Sequence, residues 1–362
     1  MSDLDPSILA SVRNRVGHLT LNRPDGLNAL TLPMVHRLHR HLWAWESDPE
    51  IVAVVIRGAG EKAFCAGGDI RMLYDSHLAG DNQHEVFFED EYALDEYIHL
   101  YPKPVIALMD GFVLGGGMGL AQAASMRVIT GSTRMGMPEV GIGFFPDVGG
   151  SYFLSRMPGQ LGTYLGVTGC QVRATDALYS RLADYCLPRE SIQQFDQALD
   201  NLNWSYAPRE TLHQMLAGLA TPRMPGSELK AFRPAIDRHF ALSDIQAIRR
   251  SLLEEDCPEF RDWAEETVQV MDSRSPLAMA VTLELVRQGR HLSLSDCFSL
   301  ELHLACQWFD KGDLIEGIRA LIIDKDKAPR WNPPSLENLT PQRVESFFAG
   351  FRFESDKSIR TA

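Results

Sequence analysis

The chain has 362 residues, of which 45% are apolar and 23% charged, a composition typical of a globular protein with a sizeable buried core. The formal net charge of -13, without any block of five or more Lys or Arg residues, argues against nucleic acid or an anionic membrane as a partner. Six scattered cysteines without a CxxC pair, and an N-terminus without a basic start and apolar core, predict a soluble, cytoplasmic protein with free thiols.

The first half of the chain alternates short apolar runs with segments of helical periodicity. Strands are predicted at Arg15–Pro24, Ile51–Gly58, Pro104–Gly111 and Arg127–Thr130. Between the first two strands, apolar residues recur every three or four positions from Leu32 to Trp45, after Thr31 as a plausible helix cap. This β-α-β order predicts an α/β fold with a mainly parallel sheet, whose functional residues lie in loops after the strands.

The second half is more polar and helical. Glu190–Met271 reads as a helical insertion, interrupted at Ala220–Ser227, and further helices are predicted around Leu277–Arg287 and Leu294–Phe309. The predicted division is a core at residues 1–190, an insertion at 191–275, and a C-terminal helical region and tail at 276–362. The most membrane-like window, Val105–Ala124, contains an aspartate and five glycines, which favours a strand, turn and helix over a membrane span.

Two Gly-rich loops follow predicted strands. KAFCAGGDI and DGFVLGGGMGLA place Gly68 and Gly116 where bare backbone N–H groups can approach a ligand closely. Two such donors, converging on one carbonyl oxygen, stabilise developing negative charge. Taken alone, KAFCAGGDI is more often an ordinary Gly-rich turn, and GGGMG does not match the dinucleotide-binding GxGxxG pattern.

The stretch MPEVGIGFFPDVGG contains two carboxylates, Glu139 and Asp147, in an otherwise apolar, Gly- and Pro-rich run. A buried charge without a partner is costly, so the two side chains call for an explanation. Catalytic acid–base or nucleophilic chemistry is one. The other is structural: Glu139 caps the following turn, and Asp147 caps a helix that begins near Val148.

Four motifs, taken together in order and spacing, resemble the crotonase (enoyl-CoA hydratase/isomerase) superfamily. They are NRPDGLNAL, KAFCAGGDI, the GGGMG turn and MPEVGIGFFPDVGG. With FFEDEY at Phe87–Tyr92 and the tail IIDKDKAPRW, the chain looks most like the 3-hydroxyisobutyryl-CoA hydrolase branch. The resemblance extends from about Val16 to Trp331 and implies a spiral of β-β-α turns with a helical C-terminal region.

The resemblance also implies roles for individual residues. Gly68 and Gly116 would form a shared oxyanion hole for a CoA thioester. Hydratases of this family carry a glutamate two positions after the GGG, where this chain has Gly119, whereas their second glutamate corresponds to Glu139. Asp147 lies in the stretch PDVGG, which corresponds to PGAGG in many hydratases. The resemblance therefore implies hydrolysis of a short 3-hydroxyacyl-CoA. The expected substrate is 3-hydroxyisobutyryl-CoA, an intermediate of valine catabolism.

Further substrate-binding residues are carried over from the same motifs. They are Glu91 in the acyl pocket, Asn28, Ala29 and Leu30 as candidates for the nucleotide end of CoA, and Ala66, Gly67, Asp69 and Gly115 as further substrate-binding residues. Lys325, Lys327 and Arg330 are candidates for the nucleotide end, although a charged tail is more often solvated surface. A separate cofactor is not expected, because CoA belongs to the substrate. A metal is not expected either, because the spacing of His36, His39 and His41 does not place all three on one helix face, and they read as surface residues.

Two other functions remain open on the sequence. One is an enoyl-CoA hydratase or isomerase in which Glu139 and Asp147 act jointly; the other is an acyl-CoA binding protein without turnover. The resemblance implies a homo-oligomer, although the helical insertion is a possible obstacle to the trimers that relatives form.

Overall fold

The structure is a computed structural model that describes residues 6–204, 207–221, 224 and 226–352. Two compact units alternate along the chain. The first, called the sheet unit, comprises Met1–Asp69, Ala93–Gly136 and Val172–Glu228, and the second, called the helical unit, comprises Ile70–Tyr92, Met137–Gln171 and Leu229–Ala362. The sequence predicts three consecutive segments with boundaries near residues 190 and 275, and that division stays a prediction.

Ten strands are described, all in the sheet unit. They are β1 Ile8–Arg13, β2 Val16–Leu21, β3 Ala53–Gly58, β4 Ala63–Cys65, β5 Val105–Met109, β6 Phe112–Leu114, β7 Met126–Thr130, β8 Arg134–Gly136, β9 Val172–Arg173 and β10 Tyr185–Leu187. Six form a sheet in the order β1-β2-β3-β5-β7-β10, parallel except for the β1/β2 pair. The other four form a sheet in the order β4-β6-β8-β9, parallel except for β8/β9. The mainly parallel sheet predicted from the sequence is confirmed.

A repeated strand pattern generates these two sheets. In the pairs β3/β4, β5/β6 and β7/β8, the first strand joins the six-stranded sheet and the second joins the four-stranded sheet. The long strands are rich in β-branched and aliphatic residues, and all five residues of β5 are buried. Each second strand has only three residues and is followed by a loop or helix. The Gly-rich segments of the sequence follow β4 and β6 directly.

The sheet unit also contains helices or parts of helices. They are α1 Leu32–Glu46, the end of α3 Gln83–His99, α4 Gly116–Ala123, α7 Ala174–Tyr179, α8 Ile192–Asp200 and α9 Pro208–Leu219. In α1 the predicted apolar stripe is buried from Val35 to Trp45, together with Met34, whereas its first member, Leu32, is half-buried. Phe195 and Leu199 of α8 and Leu212 and Leu216 of α9 form one core cluster with sheet residues such as Val55. The start of the predicted insertion therefore contributes to the core.

The helical unit contains the remaining helices and no described strand. They are α2 Ile70–Ala79, the start of α3, α5 Gly150–Ser155, α6 Leu161–Thr168, α10 Glu228–His239, α11 Ile245–Leu253, α12 Arg261–Asp272, α13 Pro276–Gly289, α14 Leu294–Lys311, α15 Leu314–Ile318 and α16 Pro341–Phe348. Ser275 and Ser293 cap α13 and α14 by accepting backbone N–H bonds. Both helices predicted in this region are confirmed, each a few residues longer than the sequence suggested.

No disulfide links the six cysteines, all of which lie within the described residues. Within those residues, no helix has both the length and the apolar character that crossing a membrane requires.

Candidate active site

The helical unit brings three of the predicted site carboxylates together. Glu91 lies on α3, Glu139 opens a short 3-10 turn at Glu139–Ile142, and Asp147 lies in the loop before α5. All three are buried, with only 2%, 6% and 5% of their surfaces exposed. Glu91 is therefore not the solvated helix-surface residue that an isolated glutamate in an amphipathic helix usually is.

Burial and mutual repulsion perturb the ionisation of these carboxylates. Desolvation, followed by the neighbouring charge of Asp147, raises the pKa of Glu139 and of Glu91 well above their usual range. Desolvation also raises the pKa of Asp147 to about 7, although a hydrogen bond from Tyr92 and its own backbone N–H oppose the rise. Groups that exchange protons near neutral pH are suited to acid–base chemistry.

Tyr92 is a member of this cluster that the sequence analysis did not single out. Its hydroxyl donates a hydrogen bond to Asp147 Oδ2 at 2.8 Å, and its side chain is 3% exposed. Burial raises the pKa of Tyr92, so the phenol keeps its proton and acts as a donor. The adjacent Glu91–Tyr92 pair in the FFEDEY motif was a usable signal, because both residues fall near the apolar stripe of α3.

Asp147 does not cap a helix. α5 begins at Gly150 after Gly149, and no side chain caps it. The carboxylate of Asp147 instead accepts from Tyr92, so the structural alternative for Asp147 is wrong. For Glu139, Oε2 is buried without a hydrogen-bond partner in the described part of the chain, which leaves this oxygen available to a bound molecule.

In the sheet unit, the two predicted oxyanion donors lie on adjoining loops. Gly116 is the first residue of α4, where helical geometry provides no internal acceptor for its N–H. Gly67 has φ +99°, and a Cβ there would lie 3.3 Å from Gly116 N and 3.5 Å from Gly115 Cα. The Leu30/Gly68 bridge uses the Gly67 carbonyl and the Asp69 N–H, so the Gly68 N–H takes no part in it. The positive φ of Gly67 and its close approach to Gly116 N both require glycine at position 67.

The turn before α1 is tied to these same loops. The Asn28 side chain donates to the carbonyls of Ala59 and Ala63, at 2.9 and 2.8 Å, and accepts from Arg23 N. Ala66 N donates to Leu27 O at 3.0 Å. The fully buried Asn28 side chain is thus committed to holding the loop, so a contact between this segment and substrate would have to use neighbouring backbone atoms.

Other predicted residues near this turn have defined surroundings. Arg23 contacts Asp69 at 3.0 Å and donates to Ala29 O at 2.6 Å, while Leu30 is fully buried. Binding of CoA by Ala29, Leu30, Ala66, Asp69 and Gly115 stays a prediction.

The tail segment predicted to contact the nucleotide is held by one arginine of the helical unit. Arg319 bonds Asp324 at 2.6 Å, Asp326 at 2.8 Å, and Glu316. Lys325 and Lys327 are exposed and have positive φ values of 57° and 55°. Arg330 is also exposed. The loop therefore presents three cations to solvent, which is compatible both with phosphate binding and with a solvated surface.

Neither histidine nor acidic clusters form a metal site among the residues that the structure describes. His36 and His39 are exposed and His41 is half-buried.

Comparison with known proteins identifies the family. The sequence model for the enoyl-CoA hydratase/isomerase family matches residues 16–348. The chain belongs to this family. A 3-hydroxyisobutyryl-CoA hydrolase of Danio rerio, named as mitochondrial, is 37% identical over 92% of this chain and 87% of its own length.

Two solved structures are similar along nearly the whole chain. A carnitinyl-CoA dehydratase from Mycobacterium thermoresistibile has a TM-score of 0.87 and 39% identity, covering 96% of this chain and 97% of that one. An enoyl-CoA hydratase from Rhodobacter sphaeroides has a TM-score of 0.84 and 36% identity, covering 95% and 97%. The crotonase-like spiral of β-β-α turns expected from the motifs is confirmed, and the helical C-terminal region is part of the shared structure.

Proposed function

We propose that this family member hydrolyses the thioester bond of 3-hydroxyisobutyryl-CoA, giving 3-hydroxyisobutyrate and CoA. The observation that carries the proposal is the buried Glu139–Asp147 pair, in a chain with Gly119 where the family's hydratases carry a glutamate. Support also comes from curated relatives in animals and plants that are named 3-hydroxyisobutyryl-CoA hydrolase and are 34–37% identical over most of the chain.

The backbone N–H groups and the buried carboxylates would have different roles in the reaction. The N–H groups of Gly68 and Gly116 would bind the thioester oxygen as it becomes negative, an interaction for which one lost donor typically costs about 3 kcal/mol of barrier. Asp147 would bind the 3-hydroxyl of the acyl group or orient water. Glu91, whose pKa burial raises, would line the acyl pocket in its neutral form.

Glu139 would act at the thioester carbon by one of two routes. Both use its carboxylate form, so its raised pKa makes the rate increase with pH. As a general base, it takes a proton from water, the water oxygen bonds to the carbon, the C–S bond breaks, and the CoA sulfur leaves as a thiolate that is then protonated. As a nucleophile, its carboxylate oxygen bonds to the carbon and expels the thiolate, and water then opens the mixed anhydride.

Oxygen-18 water separates these routes. A single turnover with enzyme in excess places the label in 3-hydroxyisobutyrate if water attacks the acyl carbon directly. Label in the peptide that contains Glu139 shows that water opened an anhydride at the side-chain carbon. Because water that opens an anhydride at the acyl carbon also labels 3-hydroxyisobutyrate, mass spectrometry of the rapidly quenched enzyme is needed as well: an acyl adduct on Glu139 supports the nucleophile, and its absence together with labelled acid supports the general base.

An enoyl-CoA hydratase or dehydratase activity is the second candidate, favoured by the names of the two similar structures. Parallel assays with 3-hydroxyisobutyryl-CoA and crotonyl-CoA, following free thiol and enoyl absorbance, distinguish the functions. Thiol release alone supports the hydrolase, absorbance change alone supports the hydratase, and neither supports a binding protein. Glu139→Gln is the test variant, and Glu345→Gln, at an exposed position of α16, is the matched control.

A place in valine catabolism, a cytoplasmic location and a homo-oligomeric state belong to the same proposal. The absence of disulfides among the six cysteines supports a reducing compartment. Cell fractionation tests the location, and light scattering after size exclusion tests the assembly.

A further inference from the structure

The loop that carries Asp147 has an unusual backbone conformation directly after that residue. Val148 has φ +50° and Gly149 has φ +80°, so two consecutive residues occupy the left-handed region. Glycine adopts this region readily, but a β-branched residue such as valine does so only when its surroundings enforce it. Some interaction must therefore hold the loop in place.

Glu301 of α14 supplies that interaction. Its Oε2 accepts a hydrogen bond from Gly149 N at 2.7 Å, and its Oε1 accepts from Ser151 N at 2.9 Å and from Ser151 Oγ at 2.5 Å. Glu301 and Ser151 are both fully buried. A hydrogen bond to an ionised carboxylate is stronger than one between neutral groups, and here three donors converge on one carboxyl group. These bonds favour its ionised form and oppose the rise in its pKa that burial causes.

A second residue of α14 contacts the same loop. A Cβ at Gly149 would lie 3.2 Å from the Phe298 ring, and that ring lies 5.8 Å from the ring of Tyr92, centroid to centroid. Tyr92 in turn donates to Asp147. Through Glu301 and Phe298, α14 therefore restrains both the loop that carries Asp147 and the phenol that hydrogen-bonds its carboxylate.

We infer that Glu301 is a positioning residue, which fixes the left-handed Val148–Gly149 turn and thereby aims the Asp147 carboxylate at the acyl group. This inference rests on the proposed function for what Asp147 binds. A carboxylate fits this position because its three hydrogen-bond partners, Gly149 N, Ser151 N and Ser151 Oγ, all donate to it. Glutamine at this position would place its own N–H group against one of them.

The kinetic test is a double-mutant cycle with Glu301→Gln and Asp147→Asn on two substrates, 3-hydroxyisobutyryl-CoA and isobutyryl-CoA. If Glu301 acts through Asp147, Glu301→Gln lowers kcat/KM at least about tenfold for the hydroxylated thioester but less than about threefold for the plain one. Adding Glu301→Gln to Asp147→Asn then has little further effect. Asp310→Asn, at an exposed position of the same helix, should leave both rates unchanged.

Equal losses on the two substrates, or effects that multiply in the double variant, overturn the inference and leave Glu301 as a general packing residue. Ser151→Ala removes only one of the three bonds and gives a milder version of the same selectivity change if Glu301→Gln does not fold.

A crystal structure of Glu301→Gln provides a readout that needs no turnover. We expect Val148 and Gly149 to leave the left-handed region and the Tyr92–Asp147 bond to lengthen beyond about 3.5 Å. An unchanged turn overturns the inference whatever the protein hydrolyses. Conversely, wild-type protein that releases no thiol from either thioester refutes the proposed function, while the structure of the variant still decides the role of Glu301.

Discussion

Replacing Tyr92 by Phe removes a single oxygen, the donor that bonds Asp147 Oδ2 at 2.8 Å. A hydrogen bond to an ionised group contributes about 1.5–3 kcal/mol, and 1.36 kcal/mol corresponds to one pKa unit. Because this bond stabilises the charged form, its loss should raise the pKa of Asp147 from about 7 to about 8–9. At pH 7 the ionised fraction should then fall from about one half to about a tenth or less.

The assay is the pH dependence of kcat/KM for 3-hydroxyisobutyryl-CoA hydrolysis. We expect the acidic limb of the profile to move to higher pH in Tyr92→Phe, with activity recovering above about pH 9. The buried carboxylates titrate together, so the apparent midpoint belongs to the cluster, and its direction of change is the diagnostic quantity.

Tyr97→Phe is a matched control, because Tyr97 lies on the same helix and donates to Glu46 Oε2 at 2.9 Å. Its profile should coincide with that of the wild type. An acidic limb that stays in place in Tyr92→Phe, or activity that is lost equally at every pH, would refute the hypothesis behind this test, that Asp147 binds the 3-hydroxyl or orients water in its ionised form.

Three further measurements address the chemistry, the electrostatics and the packing. Glu139→Gln should retain CoA binding by calorimetry but lose at least about 100-fold in kcat, and activity above about a tenth of wild type would move the chemistry to another residue. Burial raises the pKa of Asp147 to about 7 and of Glu301 to about 8, so in the folded state these two groups hold protons that the unfolded chain has released. Buried histidines such as His18, whose pKa burial lowers to about 4, act in the opposite direction below pH of about 6.5. The free energy of unfolding in urea should therefore fall as the pH rises from about 6.5 to about 8, and a flat or rising profile in that window contradicts these shifts. Gly117→Ala should destabilise the protein by about 1–3 kcal/mol, because its Cβ would lie 2.3 Å from Cys65 O, whereas Gly218→Ala, with open space around it in α9, should be neutral or stabilising by up to about 1 kcal/mol.

The sequence predicted the long elements of the sheet unit well because their apolar patterns are local. The predicted strand at Ile51–Gly58 begins only two residues later, at Ala53, and α1 begins at Leu32 as expected. The three-residue strands β4, β6 and β8 were not predicted, since they are too short to show a period and lie beside Gly-rich loops.

The site was predictable where a motif carries it and not where distant segments meet. Glu139 and Asp147 stand out because they interrupt an apolar stretch. Glu301 bonds residues 150 and 152 positions away, a contact that depends on how the chain folds. One local signal existed: Glu301 falls on the same helical face as the buried Cys297, Leu304 and Trp308, where a carboxylate is exceptional.

The cluster of buried carboxylates also has a consequence for evolution in the laboratory. Four acidic side chains, Glu91, Glu139, Asp147 and Glu301, are almost fully withdrawn from water, and desolvation opposes the ionised form of each. Sites arranged for chemistry commonly reduce the stability of the folded state. A population selected only for resistance to heat, without any demand for turnover, should therefore accumulate amide or apolar replacements at Glu91 and Glu139 early. The same population should retain Glu301 longest, because its oxygens already satisfy three donors of the loop.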